Sequence, residues 1–156
     1  MRSKDELRAE LVARRRALPR DEVEAASRTI AERVLAAVEW PVRALHVYTS
    51  VAAWGEVDTA PLVAAVRALW PAVPIVHPGV GRDEPVPTAP FEVIVVPVVG
   101  FDRDGNRLGL GGGWYDRFLA GQPGAQKIGV AYAWALVEEG IPVEPHDVRL
   151  DLVITA

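Results

Sequence analysis

The chain reads as a single α/β domain in three layers, with a largely parallel sheet covered by helices on both faces. Three observations predict it. Segments of helical apolar spacing alternate with short apolar runs along the chain. The runs Val93-Ile94-Val95-Val96 and Ile128-Gly129-Val130-Ala131 lack the polar alternation of a half-exposed strand, so both their faces are covered. With 156 residues, 50% of them hydrophobic, the chain can build one real core and is too apolar to stay disordered.

The elements follow in order. Residues 4–17 form a helix, with Leu7, Leu11 and Leu18 at helical spacing and charges elsewhere, and Pro19 interrupts it. A second helix covers about 21–38, with Val23, Ala26, Ile30, Val34 and Ala37 on one face. Ala44–Tyr48 is a strand. Thr59 as cap and Pro61 behind it start a third helix, whose buried face is Leu62, Val63, Val66 and Leu69 and which Pro71 ends. Val73–His77 is a strand, and Pro74 places it at an edge or marks its start. Residues 78–90, with Pro78, Pro85, Pro87 and Pro90, form an irregular connector. The strand at 93–97 precedes a turn at Asp102–Asn106, a glycine loop and a helix over about 113–120. Strands at Lys127–Ala131 and Leu150–Ile154 complete the sheet.

Bulk properties exclude several classes. The formal net charge of −4 gives no broad basic face for nucleic acid. No cysteine is present, hence no disulfide, thiol nucleophile or thiolate metal site. The start, Met1-Arg2-Ser3-Lys4-Asp5-Glu6, is charged and lacks a signal core, and no apolar run reaches membrane-spanning length. The expectation is a cytoplasmic protein without nucleic-acid or membrane partners, a monomer by default.

The chemistry concentrates in Arg107-Leu108-Gly109-Leu110-Gly111-Gly112-Gly113-Trp114-Tyr115-Asp116, between a buried strand and a helix start. Glycines strip this loop of side chains, so its amides can converge on an anion at the helix N-terminus. Arg107 stands at one end. Asp116 at the other would repel a bare phosphate but hold a divalent metal bridging to one. The loop lacks the P-loop spacing, and Trp114 stands where the dinucleotide fingerprint needs its third glycine. On the glycines alone, phosphate binding and close helix packing are both open readings.

The stretch Val96-Pro97-Val98-Val99-Gly100-Phe101-Asp102, continued by Gly105-Asn106-Arg107 through Asp116-Arg117-Phe118-Leu119, resembles the 5-formyltetrahydrofolate cyclo-ligases, also called methenyltetrahydrofolate synthetases. Three further blocks match in order: Lys4-x-x-x-Arg8 with Arg14 or Arg15, Gly55-Glu56-Val57-Asp58-Thr59, and Pro142-Val143-Glu144-Pro145-His146-Asp147 leading to Leu150-Asp151. The resemblance implies a Rossmann-like α/β/α fold over residues 1–156 and a ligase that uses ATP and Mg²⁺ to cyclise 5-formyltetrahydrofolate to 5,10-methenyltetrahydrofolate. It implies that Lys4, Arg8, Arg107, Gly109, Gly111, Gly112, Gly113, Trp114 and Tyr115 contact ATP, with Arg107 also catalytic. It assigns Glu56 to the reduced folate and Asp116 and Asp147 to the metal. Of the run Arg14-Arg15-Arg16, at most two can face a ligand, because consecutive residues wrap around the helix.

The chain departs from the pattern on the folate side. Only Pro78-Gly79-Val80 separates the strand at 73–77 from Gly81-Arg82-Asp83-Glu84-Pro85, where the family has a longer stretch. Trp114 replaces a tyrosine and Gly100 an alanine. A non-catalytic or divergent paralogue binding a nucleotide or a folate-like ligand is therefore the alternative. Two other motifs are rejected. Asp102-Arg103-Asp104-Gly105-Asn106 has its glycine too early for a calcium loop, and His46, His77 and His146 show no ligand spacing.

Overall fold

The computed structural model describes residues 1–79 and 84–156. Helices α1 (Lys4–Arg16) and α2 (Arg20–Ala37) precede strand β1 (Leu45–Val47), and α3 (Ala60–Leu69) leads to β2 (Ile75–Val76). Strand β3 (Val93–Pro97) is followed by the short strands β4 (Gly100–Phe101) and β5 (Arg107–Leu108), then α4 (Trp114–Ala120), β6 (Gln126–Ala131) and β7 (Leu152–Thr155). Five strands form one parallel sheet in the order β2-β1-β3-β6-β7, while β4 and β5 make a separate antiparallel hairpin. Among the described residues, no helix is long and apolar enough to cross a membrane.

Side-chain alternation along the strands divides the core between the two faces. Leu45, Val47, Val93, Val95, Ile128, Val130 and Ile154 meet Ile30, Ala31 and Val34 of α2 and Leu62, Val63 and Val66 of α3. Ile94, Val96 and Ala131 point the other way and meet Phe118 and Leu119 of α4. Helix α1 lies apart from both. Its Leu7 and Leu11 pack with Val99, Leu108, Val137 and Ile141, so the helix closes over the hairpin at the carboxyl end of the sheet. A capping box starts α1: the Ser3 side chain accepts from the Glu6 amide, and the Glu6 side chain from the Ser3 amide.

The sequence reading needs correction in places. Thr59 makes no side-chain cap for α3; its hydroxyl donates to the Tyr48 carbonyl at 2.9 Å, and Asp58 instead accepts the Ala60 amide at 2.9 Å. Leu69 lies 60% exposed because α3 ends there, beyond the reach of α2. The β4–β5 hairpin, which encloses the Asp102–Asn106 turn, has only two residues per strand and so left no periodic signal. The strands expected over 73–77 and 150–154 are narrower or shifted, at Ile75–Val76 and Leu152–Thr155. Gly81, Arg82 and Asp83, part of the expected element before Pro85, lie outside the described residues, as does Val80.

His46 of β1 is fully buried among aromatic rings: Phe91 at 5.1 Å, Phe118 at 4.6 Å and Trp114 at 6.3 Å between centroids. Neither ring nitrogen has a hydrogen-bond partner. Burial pushes its pKa from 6.5 down to about 4, with His77 adding like-charge repulsion. The unfolded chain takes up this proton near pH 6.5 and the folded chain only near 4, so His46 stability is whole above 6.5 and is lost as pH falls between them. Replacing His46 by leucine is expected to remove about 2–3 kcal/mol of the stability lost on acidification. Urea midpoints at pH 7.5 and 4.5 measure it; parallel losses in both proteins would refute the assignment.

Candidate functional site

In a doubly wound sheet, ligands bind where neighbouring strands send the chain in opposite directions. Here that point lies between β1, whose crossover leads to β2 on one side, and β3, whose continuation leads to β6 on the other. A cavity of about 390 Å³ opens there. Its wall combines Trp54 and Glu56 after β1, Pro97 and Val98 at the end of β3, one face of α1, the glycine loop and Glu144, His146 and Asp147. Lys4, Arg8, Glu56, Arg107, Gly109, Gly111, Gly112, Gly113, Trp114, Tyr115, Asp116 and Asp147 all line it.

The loop follows β5 and is braced from two sides. Arg107 Nη1 donates to the Pro97 carbonyl at 3.0 Å. Arg8 Nε donates to the Gly109 carbonyl at 2.8 Å, while its Nη1 donates to Asp5 at 2.7 Å. Among the described residues, no group accepts from the backbone amides of 109–113, so these donors are free for a ligand. Gly113 starts α4 at φ 72°, a left-handed conformation that favours glycine. With seven residues, α4 is only two turns long, so the free amides and the nearby cations carry most of the attraction for an anion. Arg107 Nε and the Tyr115 hydroxyl are enclosed and have no hydrogen-bond partner, and the guanidinium lies 5.6 Å from the Tyr115 ring centre. Burial lowers the Arg107 pKa, against the opposing pull of Asp116, Tyr115 and Asp147. Trp114 turns partly away, its indole donating to the Glu84 carbonyl at 3.0 Å and its ring 5.2 Å from Phe118.

The carboxylates gather at the same end. Asp116 accepts the Val148 amide at 3.1 Å, and Asp147 accepts the Lys4 ammonium at 2.6 Å and the Glu144 amide at 2.9 Å. Burial alone would raise the Asp147 pKa, but the Lys4 and Glu144 hydrogen bonds bring it below the ordinary value. Asp116, Asp147 and His146 offer ligating atoms within 4.8 Å of one another. Two carboxylate oxygens on a rim open to phosphate and water fit a hard divalent cation such as Mg²⁺. His146 is a residue that sequence spacing set aside. Adjacent to Asp147 in the chain, it has no second histidine to make a recognisable ligand pair.

The opposite end is set by Gly55, which has φ 66° and lies against α1 so closely that a Cβ would stand 2.2 Å from the Arg15 carbonyl oxygen. The Tyr132 hydroxyl holds the Gly55 carbonyl at 2.7 Å, and Tyr48 holds that of Val57 at 2.5 Å. Glu56 is thereby buried, with Oε2 accepting the Val51 amide at 2.8 Å. Its pKa is raised by burial, against the pull of that amide and of Arg15. Arg15, of the three consecutive arginines, is the one that lines the cavity. A signal for it existed: Arg15 lies seven residues after Arg8 and eleven after Lys4, about two and three helical turns, so all three share one stripe.

Residues 54–156 match the model of the 5-formyltetrahydrofolate cyclo-ligase family. The 5-formyltetrahydrofolate cyclo-ligase of Escherichia coli K12 is 33% identical, over 65% of this chain and 72% of that one. That of Mycolicibacterium smegmatis is 39% identical, over 65% of this chain and 50% of its own length. Among solved structures, the Mycoplasma pneumoniae 5,10-methenyltetrahydrofolate synthetase superimposes with a TM-score of 0.81 over 98% of both chains, at 24% identity, a likeness of fold. The Aquifex aeolicus synthetase gives 0.72 at 28% identity, over 97% of this chain and 89% of that one.

Two glycine substitutions separate architecture from ligand contact. Gly55→Ala meets both a left-handed backbone and the Arg15 carbonyl, so it is expected to cost at least about 2 kcal/mol of stability. Gly112 has nothing within 4 Å of a Cβ, so Gly112→Ala is expected to change stability by less than about 0.5 kcal/mol. Denaturant melts of both variants check this; equal losses would contradict it.

Proposed function

The chain belongs to the 5-formyltetrahydrofolate cyclo-ligase family, and from that premise we propose that its cavity cyclises 5-formyltetrahydrofolate to 5,10-methenyltetrahydrofolate, converting ATP to ADP and phosphate. The supporting observation is one crevice with two chemically distinct ends. Free loop amides, Lys4, Arg8 and Arg107 lie with Asp116 and Asp147 at one end, and buried Glu56 lies at the other. We treat residues 1–156 as one cyclo-ligase-like domain, since α1 closes the crevice from its own side of the hairpin. We assign it to cytoplasmic one-carbon metabolism, acting on a small reduced folate.

The formyl oxygen is a poor leaving group. Once it carries the γ-phosphoryl group of ATP, N10 can attack the formyl carbon, lose its proton and expel phosphate as the ring closes. The protein's part is positioning and charge neutralisation rather than acid–base work. Arg107, pinned to Pro97, is the fixed cation for the transferring group, and its unpartnered Nε is a donor ready for it. The amides of 109–113 and Lys4 hold the remaining phosphates, and Arg8 both holds the loop and adds positive charge. Asp116 and Asp147 would hold Mg²⁺, which would supply further charge neutralisation. Glu56 accepts hydrogen bonds from the pterin's amino and ring N–H groups. The short stretch after β2 is what favours the binding-only alternative, whereas the complete set of cations, carboxylates and free amides, joined in one cavity to buried Glu56, favours turnover.

The deciding experiment mixes purified protein with 5-formyltetrahydrofolate and MgATP and follows the methenyl chromophore. Failure to form product while ATP still binds in a calorimeter would overturn the proposal. Asp116→Asn keeps an oxygen for the Val148 amide, so it is expected to lower turnover at limiting magnesium by about 100-fold or more while melting close to the parent. A variant that melts early but is fully active when folded would refute the metal role. Glu56→Gln is expected to weaken folate binding by about tenfold or more with ATP affinity unchanged. Equal loss for both ligands would indicate a structural role.

A further inference from the structure

Arg15 is 3% exposed, and its guanidinium is only partly satisfied. Nε donates to the Trp54 carbonyl at 2.9 Å and Nη1 to the Val98 carbonyl at 3.5 Å. Nη2 is enclosed and has no partner. Its nearest anion, Glu56 Oε1, stands 4.0 Å away, too far for a hydrogen bond. Buried cationic donors are rarely left in this state, so the missing acceptor is to be sought in the cavity that both side chains line.

The charge of the pair narrows the ligand. Arg15 and Glu56 together are formally neutral, so they do not form a phosphate site like the Lys4, Arg8 and Arg107 end. They offer one donor and one acceptor side by side. That pattern matches a planar ring edge carrying a carbonyl oxygen next to N–H groups, the arrangement in a 2-amino-4-oxopyrimidine.

We propose that Arg15 is a specificity-determining residue: its Nη2 donates to the 4-oxo group of the pterin while Glu56 Oε1 accepts from the N–H groups beside it. The assignment rests on the folate reading of the cavity. It turns Glu56 from a lone acceptor into half of a two-point reader. A 4-amino group in place of the 4-oxo group would set a donor against the Arg15 donor and would also remove the N3 proton that Glu56 accepts, so each residue carries part of the discrimination.

The test compares 5-formyltetrahydrofolate with its 2,4-diamino counterpart carrying the same 5-formyl group. Affinities are measured by calorimetry for the parent, Arg15→Met and Arg15→Lys, with ATP affinity and melting temperature in parallel. The parent is expected to prefer the 4-oxo ligand by at least about tenfold. Arg15→Met is expected to cut that preference by at least about threefold, leaving the share due to Glu56, with ATP binding unchanged, and Arg15→Lys to restore part of what is lost. A parent that binds both ligands equally, or a folded Arg15→Met that keeps the parent's preference, overturns the proposal. A purely structural role would lower the melting temperature and leave the preference intact. Should neither variant fold, Arg15→Gln, which keeps a donor for the Trp54 carbonyl, is measured in their place, with the same loss of preference expected and an unchanged preference overturning the proposal. If the parent turns over 5-formyltetrahydrofolate without discriminating, only Arg15's role falls; if it binds no folate at all, the reading of the cavity falls with it.

Discussion

Two guanidinium groups hang from consecutive carbonyls at the end of β3, and the cavity takes its shape from that point. Pro97, the last paired residue of β3, and Val98 just beyond it offer their oxygens to Arg107 and Arg15. One arginine arrives from the hairpin that follows β3, the other from the first helix of the chain. Because their anchors are adjacent, the floor between them is fixed by backbone rather than by mobile side chains. Parallel pairing of β3 with β1 and β6 holds this anchor, with β3 itself almost wholly inaccessible to solvent. Removing water from both faces of β3 is thus the condition for a defined site at its tip.

Along this floor the electrostatic character changes. At one end, Arg15 and Glu56 nearly cancel, and burial opposes the charge on each. At the other, Lys4 pairs with Asp147, and Arg107 is held near two carboxylates. A polyanion with its counter-cation suits the second end, and a neutral heterocycle the first. The distinction comes from which charges face one another, not from their number.

Much of this was legible in the residues. The alternation of apolar periods gave the layers, because β3 and β6 are long enough and sufficiently buried to lose polar alternation. The glycine loop announced itself by composition, and the family motifs tied Lys4, Glu56 and Asp147 to it across the whole chain. What stayed hidden depended on tertiary context. Two-residue strands such as β4 and β5 carry no periodicity. The Asp58 cap and the Thr59 bond to Tyr48 are decided by where β1 ends. His46 sits in an aromatic nest that only the approach of α4 creates. His146 joins two aspartates from different segments. Arg15, by contrast, was readable from helical spacing alone, since it continues the stripe of Lys4 and Arg8.

The ion pair between Lys4 and Asp147 joins positions 143 residues apart. The helix bearing Lys4 precedes every strand of the sheet, and Asp147 follows all of them but β7. The pair can form only after the sheet has drawn these distant segments together, so it marks a completed fold rather than guiding the chain toward one.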